Sequence, residues 1–280
     1  MYMNNLEKFL YERKHEALQD YPYMDKHRKN LSNTPHYHDE IEIIFVLSGS
    51  VTVFGHLGRL TAEAGDIAVL MPKEVHNFTT ESENRVYVMK LCCKNTVDET
   101  DLTEYRFSGC LIKNGTELNR TVSYHINEMA KDYGSLDRGA GYAVNAHSNM
   151  IISLILQSDL CQKQDTTSGK RNEATVNLLK KVTSHIEAHF AERITLEQIS
   201  AHCNMSKYYF AHTFKDDFGM TFLEYLTQYR MRVAAHLLVE TNKNVTLIGN
   251  LSGFSSTRMF NNLFKARFGM SPTEYRKKMR

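Results

Sequence analysis

Two rhythms of apolar residues divide the chain. From Pro35 to about Leu91 they come in short β-branched blocks, IEIIFVLSGSVTVFG, GDIAVLMP and RVYVMKL, separated by Gly and Pro turns and with no helix-length spacing between them. Short strands at such close intervals predict an antiparallel barrel or sandwich. Further on the period lengthens. Leu118, Val122, Ile126 and Met129 keep helical spacing across 116–133, and Ile151, Leu154 and Ile155 do so more strongly across 141–162, where Ile152, Leu156 and Leu160 recur on another face. One stripe can lie on the barrel or on the preceding helix; the other needs a partner, either elsewhere in the chain or in a second copy. Residues 1–34 are polar, with a short amphipathic segment through Leu6, Phe9 and Leu10. Residues 162–172, QKQDTTSGKRN, carry no apolar period and read as an interdomain linker. Val176, Leu179, Val182, Ile186 and Phe190 then open a helical region. The expected division is 1–161, a 162–172 linker, and 173–280.

The helical region contains a repeat. ITLEQISAHCNMSKYYFAHTFKDDFGMTFLEYL and, about fifty residues later, VTLIGNLSGFSSTRMFNNLFKARFGMSPTEYR share one plan. A short apolar helix (Leu196 and Ile199; Leu247 and Ile248) leads through a turn to a serine suited to N-capping, Ser206 or Ser256. A second helix follows and ends in Phe214-Lys215 or Phe264-Lys265, ahead of Phe-Gly-Met. Such a pair is the sequence form of a helix-turn-helix, and two of them imply a reader of double-stranded DNA. Thr221 to about Glu240 reads as one helix of about 30 Å, close to the roughly 34 Å between successive major-groove faces, so it could hold both second helices on one side of the duplex.

This pattern resembles the C-terminal DNA-binding domain of the AraC/XylS transcription regulators through Gly253-Phe254, Phe260, Phe264-Lys265, Phe268-Gly269, Ser271-Pro272 and Tyr275-Arg276. Ser200 and Gly249 depart from the alanine usual in the family; both are small, and Gly249 weakens its helix by about 1 kcal/mol relative to alanine. On the first second helix Lys207, Tyr208, His212 and Lys215 are available to DNA, with Phe210 and Phe214 inward; Tyr208 and His212 match the family's base-facing positions, and Lys215 suits phosphate. On its counterpart Thr257, Arg258, Asn261, Asn262 and Lys265 are available, Arg suiting guanine and Asn adenine. The resemblance also favours a homodimer through Ile152, Leu156 and Leu160.

Charge agrees with this division. Residues 173–280 hold 15 Lys+Arg against 9 Asp+Glu, a net +6, while residues 1–172 hold 19 against 23, a net −4. With 280 residues, 42% hydrophobic and 24% charged, the chain can form two domains, each with a core. No apolar run approaches the ~20 residues of a membrane span, and MYMNNLEKFLYERKHE lacks a secretory apolar region, so a cytoplasmic protein without a membrane partner is expected. Cys92, Cys93, Cys110, Cys161 and Cys203 are odd in number and lack C-x-x-C spacing; reduced thiols are expected, with a redox sensor as the alternative.

The strand region carries its own chemistry. HYHDEIEIIFVLSG has the spacing H-x-H-x3-E-x6-G, and GDIAVLMPKEVH supplies a later Gly, Pro and His, which resembles the two motifs of the cupin barrel. Matched residue by residue, the resemblance gives His36, His38, Glu42 and His76 as metal ligands, although Glu74 stands where those motifs usually have Gly. Positions 36, 38 and 42 share parity, so one unbroken strand would turn all three to one face. The quartet is expected to line an effector pocket with Ile44 and Val46; three His and one carboxylate would also suit a divalent Fe, Mn, Ni, Co or Zn ion, the sole cofactor considered. No nucleophile–base pair, P-loop or Gly-rich dinucleotide fingerprint is visible, which argues against an enzyme. The fold class is therefore two-domain α+β: an antiparallel cupin-like barrel with a helical dimerisation segment, then an all-α domain with two helix-turn-helix motifs. The expected function is transcription regulation controlled by a small-molecule effector. The alternatives are a metal-dependent cupin enzyme or metal sensor with an appended DNA-binding domain, and a constitutive DNA binder with a vestigial sensor.

Overall fold

The computed structural model describes residues 22–55, 58–81, 83–91, 102, 105–107, 109–163 and 166–280. The segment through Leu6, Phe9 and Leu10, and the adjacent Cys92 and Cys93, lie outside them. The described chain divides into two compact units, one running to Asn177 and including Asp217–Gly219, the other Leu178–Asp216 with Met220–Arg280.

In the first unit the strands are β1 (Tyr23–Lys29), β2 (Ile41–Ser48), β3 (Ser50–Gly55), β4 (Gly58–Glu63), β5 (Ile67–Leu70), β6 (Asn77–Thr79), β7 (Arg85–Leu91), β8 (Tyr105–Phe107), β9 (Leu111–Ile112) and β10 (Cys161–Lys163). They form a five-stranded sheet ordered β1-β7-β2-β5-β9, a three-stranded sheet β4-β3-β6 and a two-stranded β10-β8 pair, antiparallel throughout. Among the described residues these sheets do not join into one closed cylinder. The antiparallel strand fold is as the sequence predicts, in its sandwich form.

Strand β2 is central, with both faces covered, which explains why IEIIFV shows no polar alternation. Ile41 and Ile43 join Met89, Leu91, Ile67 and Val69 beneath two helices, α1 (Glu117–Asp132) and α2 (Ala140–Gln157). Ile44 and Val46 point the other way, where Ala68, Leu70, Val86 and Val88 meet Val51, Val53, Ala62 and Phe78 from the three-stranded sheet. Glu42 shares parity with Ile44 and Val46 and pairs in register with Leu70 and Lys90. It therefore stands at the end of the inter-sheet core.

The helical expectations hold in part. Val122, Ile126 and Met129 of α1 are buried, and so are Ile151 and Ile155 of α2. But α2 ends at Gln157, where the Ser158 hydroxyl and N–H both turn back to the Ile155 carbonyl, so Leu160 lies past the helix. Ile152 is buried in the core under the helices, and Leu156 and Leu160 pack on its edge, so the stripe set aside for a second copy is used within the chain. A three-residue strand and a sheet wide enough to need both helices were not legible from the helix period alone. Of the 162–172 segment, 162–163 close β10 and 166–172 open α3 (Thr166–His189).

The second unit contains the second half of α3, then α4 (Leu196–His202), α5 (Lys207–Phe218), α6 (Phe222–Glu240), α7 (Val245–Leu251), α8 (Thr257–Phe268) and α9 (Pro272–Met279). Side-chain caps open these helices: Thr195, Thr221 and Ser271 form capping boxes, and Asn244 and Ser256 each accept a backbone N–H. The Ser206 hydroxyl likewise accepts the Tyr209 N–H at 3.3 Å. The repeat extends to the turns, where the second residue after each short helix is left-handed, Asn204 at φ 57° and Gly253 at φ 85°. Only glycine fits the second turn, since a Cβ there would lie 2.3 Å from the Phe190 carbonyl oxygen. Gly249 is packed nearly as tightly: a Cβ would come within 3.1 Å of the Phe260 ring.

Two arginines follow the same duplicated plan. Arg230 donates to the carbonyls of Phe190 and Glu192, past the end of α3, and Arg276 donates to those of Leu238 and Lys243, at the end of α6. Each guanidinium satisfies main-chain carbonyls at or just beyond a helix C-terminus. The Tyr-Arg pairs Tyr229-Arg230 and Tyr275-Arg276 thus hold the helices together and are not aimed at DNA.

Candidate effector site and DNA interface

The approach to β2 carries His36 and His38, and the segment ahead of β6 carries His76. A two-way backbone bridge, His36 N–H to the His76 carbonyl at 3.0 Å and the reverse at 2.9 Å, locks the two segments side by side. Glu42, His36, His38 and His76 each offer a ligand atom, and the four atoms lie within 4.8 Å of one another. Side-chain exposure falls from 21% at His36 through 10% at His38 to 4% at Glu42 and none at His76, so the site opens on the His36 side.

Ring orientation is dictated by chemistry. The Nδ1 atoms of His36, His38 and His76 lie 3.0, 3.1 and 2.8 Å from the backbone carbonyls of Thr34, Glu40 and Glu74. A carbonyl oxygen only accepts, so each Nδ1 is the donor there, and each Nε2 is left either to donate to an acceptor or, unprotonated, to offer its lone pair to a cation. All three Nε2 atoms face one atom, Glu42 Oε2, at 3.9, 3.1 and 2.7 Å. Burial pushes the Glu42 carboxyl up, but hydrogen bonds from His38 and His76, and their charge, hold it well below the usual carboxylate range. An ionised carboxylate beside these ring nitrogens is matched by positive charge, carried either by protons on Nε2 or by a cation in their place. Protons on all three rings would put three cations within ring centroid distances of 4.4–5.7 Å, against one carboxylate. A single divalent ion meets the four donors at once, and ring N–H groups tied to backbone carbonyls are the usual outer support of metal-bound imidazoles. The donor set fits a divalent transition metal, held by His36, His38, Glu42 and His76.

Ile44 and Val46, expected to line the pocket, are fully buried in the apolar cluster between the sheets and support the site from below. Phe78, whose ring centroid lies 5.5 Å from that of His76, joins the cluster to the quartet. The carbonyls of Thr34, Glu40 and Glu74 could not be read from side-chain identity, because they act through the backbone.

In the second unit, α5 and α8 are the second helices of the two motifs. Phe210 and Phe214 on α5, and Phe260 and Phe264 on α8, are fully buried. Lys207, Tyr208, His212, Lys215, Arg258, Asn261, Asn262 and Lys265 are exposed, and Thr257 is half-buried. The Tyr208 and His212 rings stack with centroids 4.6 Å apart, one turn apart on the helix. Lys207 is ion-paired with Glu197 of α4, so this ammonium is tied to its own motif. Sequence reasoning missed Tyr209, Met259 and Leu263, which are 60%, 44% and 37% exposed on the same two helices. Apolar groups there can meet thymine methyls. They were passed over because an apolar residue in a helical period is read as core.

Two compact units, one presenting a convergent polar site in a strand sandwich and the other two capped helix-turn-helix motifs with polar faces, define a DNA-binding transcription regulator with a ligand-binding domain. Residues 23–155 match the model of the AraC-like ligand binding domain, and residues 199–278 match that of a helix-turn-helix domain. The chain belongs to the AraC-type transcription regulators. It is similar to the bifunctional transcriptional activator/DNA repair enzyme AdaA of Bacillus subtilis, with 35% identity over 34% of this chain and 45% of that protein. It is also similar to the probable transcriptional regulator LumQ of Photobacterium leiognathi, with 24% identity over 87% of this chain and 92% of that one. A solved transcriptional regulator with an AraC-type DNA-binding domain, from Chromobacterium violaceum, is 26% identical, covers 38% of this chain and 96% of its own, and has a TM-score of 0.36. The chain spans under half the length of AdaA, and 31% of a Staphylococcus aureus regulator to which it is 22% identical. No helix among the described residues is long and apolar enough to cross a membrane.

Proposed function

We propose that the chain reads a specific operator with both helix-turn-helix motifs and that occupation of the His36/His38/Glu42/His76 site by a small-molecule effector or a metal ion controls this reading, with no catalytic turnover. The observation that carries the proposal is the convergence of three Nε2 atoms on one buried carboxylate in the chain that also bears the two motifs. A bound divalent ion would supply the missing positive charge and open positions for an anionic or chelating ligand. A sensor needs a difference in binding between two states, and tight binding by itself shifts nothing.

Selection of duplexes from a random pool by the full-length chain tests the reading. Arg258→Ala should then cost about 1–3 kcal/mol on the selected site and relax the preference at one base position, whereas Lys215→Ala weakens all duplexes alike and reduces the salt dependence. A selection that yields no sequence preference refutes operator reading, and an Arg258→Ala chain with unchanged affinity and preference removes that residue from it.

The chain acts as a homodimer in this proposal, through a face other than the one the sequence pointed to. Tyr142, Ala146 and Met150 follow one another at i, i+4, i+8 on the outer side of α2; Tyr142 and Met150 are 83% and 45% exposed, and Ala146 is exposed too. Tyr124 of α1, 57% exposed, extends the apolar character of this pair of helices. Lysines at Tyr142 and Met150 should give folded monomers in sedimentation, since a charge in an apolar contact is desolvated without a partner. A double variant that sediments unchanged refers the interface to another surface.

A further inference from the structure

A second group of histidines lies in the DNA-binding unit. His185 and His189 sit one turn apart, at i and i+4, near the end of α3, with ring centroids 4.7 Å apart. His202, the last residue of α4, brings its ring to 4.6 Å from that of His185. Past the end of α3, the Glu192 carboxylate lies 3.6 Å from His189 Nδ1. Three imidazoles and a carboxylate are thus gathered on one surface from two helices and the turn between them. His185 is half-buried between the exposed His189 and His202. Neither the sequence motifs nor the two motif helices account for this grouping.

We propose that His185, His189 and His202 form a second divalent transition-metal site, best suited to zinc, with Glu192 or water in the fourth position. A His pair at i, i+4 on one helix presents two ligands to one side, and a third from a facing helix completes the set of neutral nitrogens found in tetrahedral zinc sites. Zinc–nitrogen bonds of about 2.0–2.1 Å require the three ligating nitrogens to lie roughly 3.3 Å apart, so His189 and His202, whose ring centroids stand 4.7 and 4.6 Å from that of His185, would turn toward it on binding. The three rings repel one another when protonated and are drawn together by a shared cation. The consequence is mechanical: the ion would pin the end of α3 to the end of α4, the first helix of the first DNA-reading motif.

The test uses full-length protein carrying His38→Ala and Glu42→Ala, so that the strand-domain quartet cannot contribute. Titration calorimetry with zinc should show one site per chain, and zinc should raise the melting temperature. Adding His189→Ala or His202→Ala should weaken that binding by roughly tenfold or more, the scale on which even outer-shell losses weaken metal sites, and should remove the thermal gain. His27→Ala, at an exposed histidine of the other unit, should change neither. Both informative substitutions are at exposed positions, and circular dichroism verifies that the variants are folded. No zinc binding in the quartet-deficient chain, or binding that persists unchanged in both the His189 and His202 variants, overturns the proposal. The quartet is judged separately, by the metal content of chains in which only these three histidines are replaced.

Discussion

Alanine at Glu42 or at His76 is expected to strip the purified chain of stoichiometric transition metal, lowering affinity by more than the ~10–100-fold that loss of an outer-shell partner costs. Two of the four donors are nearly or wholly inaccessible, with side-chain exposures of 4% and none, and both face the same point. Removing Glu42 deletes the carboxylate that all three Nε2 atoms face; removing His76 deletes the ring whose Nε2 lies closest to that carboxylate, at 2.7 Å. The strand sandwich should persist in both variants, because Ile44, Val46, Phe78 and their neighbours make an apolar cluster that contains none of the four. Glu40→Ala is the graded control: its carboxylate is only 3.4 Å from His38 Nδ1 and 38% exposed, and the backbone carbonyl that orients the ring is kept. It should weaken binding by no more than that outer-shell range. Metal analysis of untreated protein, followed by operator titration with and without chelator, reads both the site and its coupling to DNA. Metal retained in the Glu42 and His76 variants would exclude the quartet as its holder, and operator affinity indifferent to metal would separate the site from regulation.

The quartet was legible through its recognisable spacing, and the structure does bring all four together, although His36 and His38 precede β2 and do not share one unbroken strand with Glu42. What could not be read was the reason they fit a cation, since the acceptors that orient the rings are main-chain carbonyls of Thr34, Glu40 and Glu74. The duplicated helix-turn-helix was legible for a different reason. Each copy needs the same few specialised residues: a capping serine, a left-handed turn residue, inward phenylalanines and an arginine that closes a helix end. At α2 the sequence left two partners open, and the reason is equally physical. A helix period says which residues share a face but not how wide the neighbouring surface is, and here one face of the five-stranded sheet with α1 covers Ile151, Ile152 and Ile155 together. The histidine group at 185, 189 and 202 went unread because its third member is contributed by a different helix.

Phe264→Ala is expected to cost about 3–5 kcal/mol and to abolish specific operator binding while leaving metal retention by the quartet intact. Helix α8 buries only two side chains, Phe260 and Phe264. The Phe264 ring is completely enclosed, with the rings of Phe260, Phe268 and Tyr275 at centroid distances of 5.6, 4.4 and 5.3 Å, two of them supplied by its own helix and one by α9. Truncation to alanine removes the ring and opens a cavity in a cluster that holds α8 through Phe260, Phe254, Ile248, Leu238 and a few neighbours. Collapse is limited, because Phe254 and Phe260 are themselves fixed against each other at 5.2 Å and Gly249 already sits within contact of the Phe260 ring. A loss of this size is comparable to the whole stability of a small helical subdomain, so α8 should detach and take Arg258, Asn261 and Asn262 out of register with the first motif. Denaturant unfolding and operator titration of the full-length variant, beside its metal content, make the measurement. A variant with wild-type stability, or one that keeps sequence-specific affinity with α8 loosened, would mean that the second motif contributes little to reading the operator and that the first carries recognition alone.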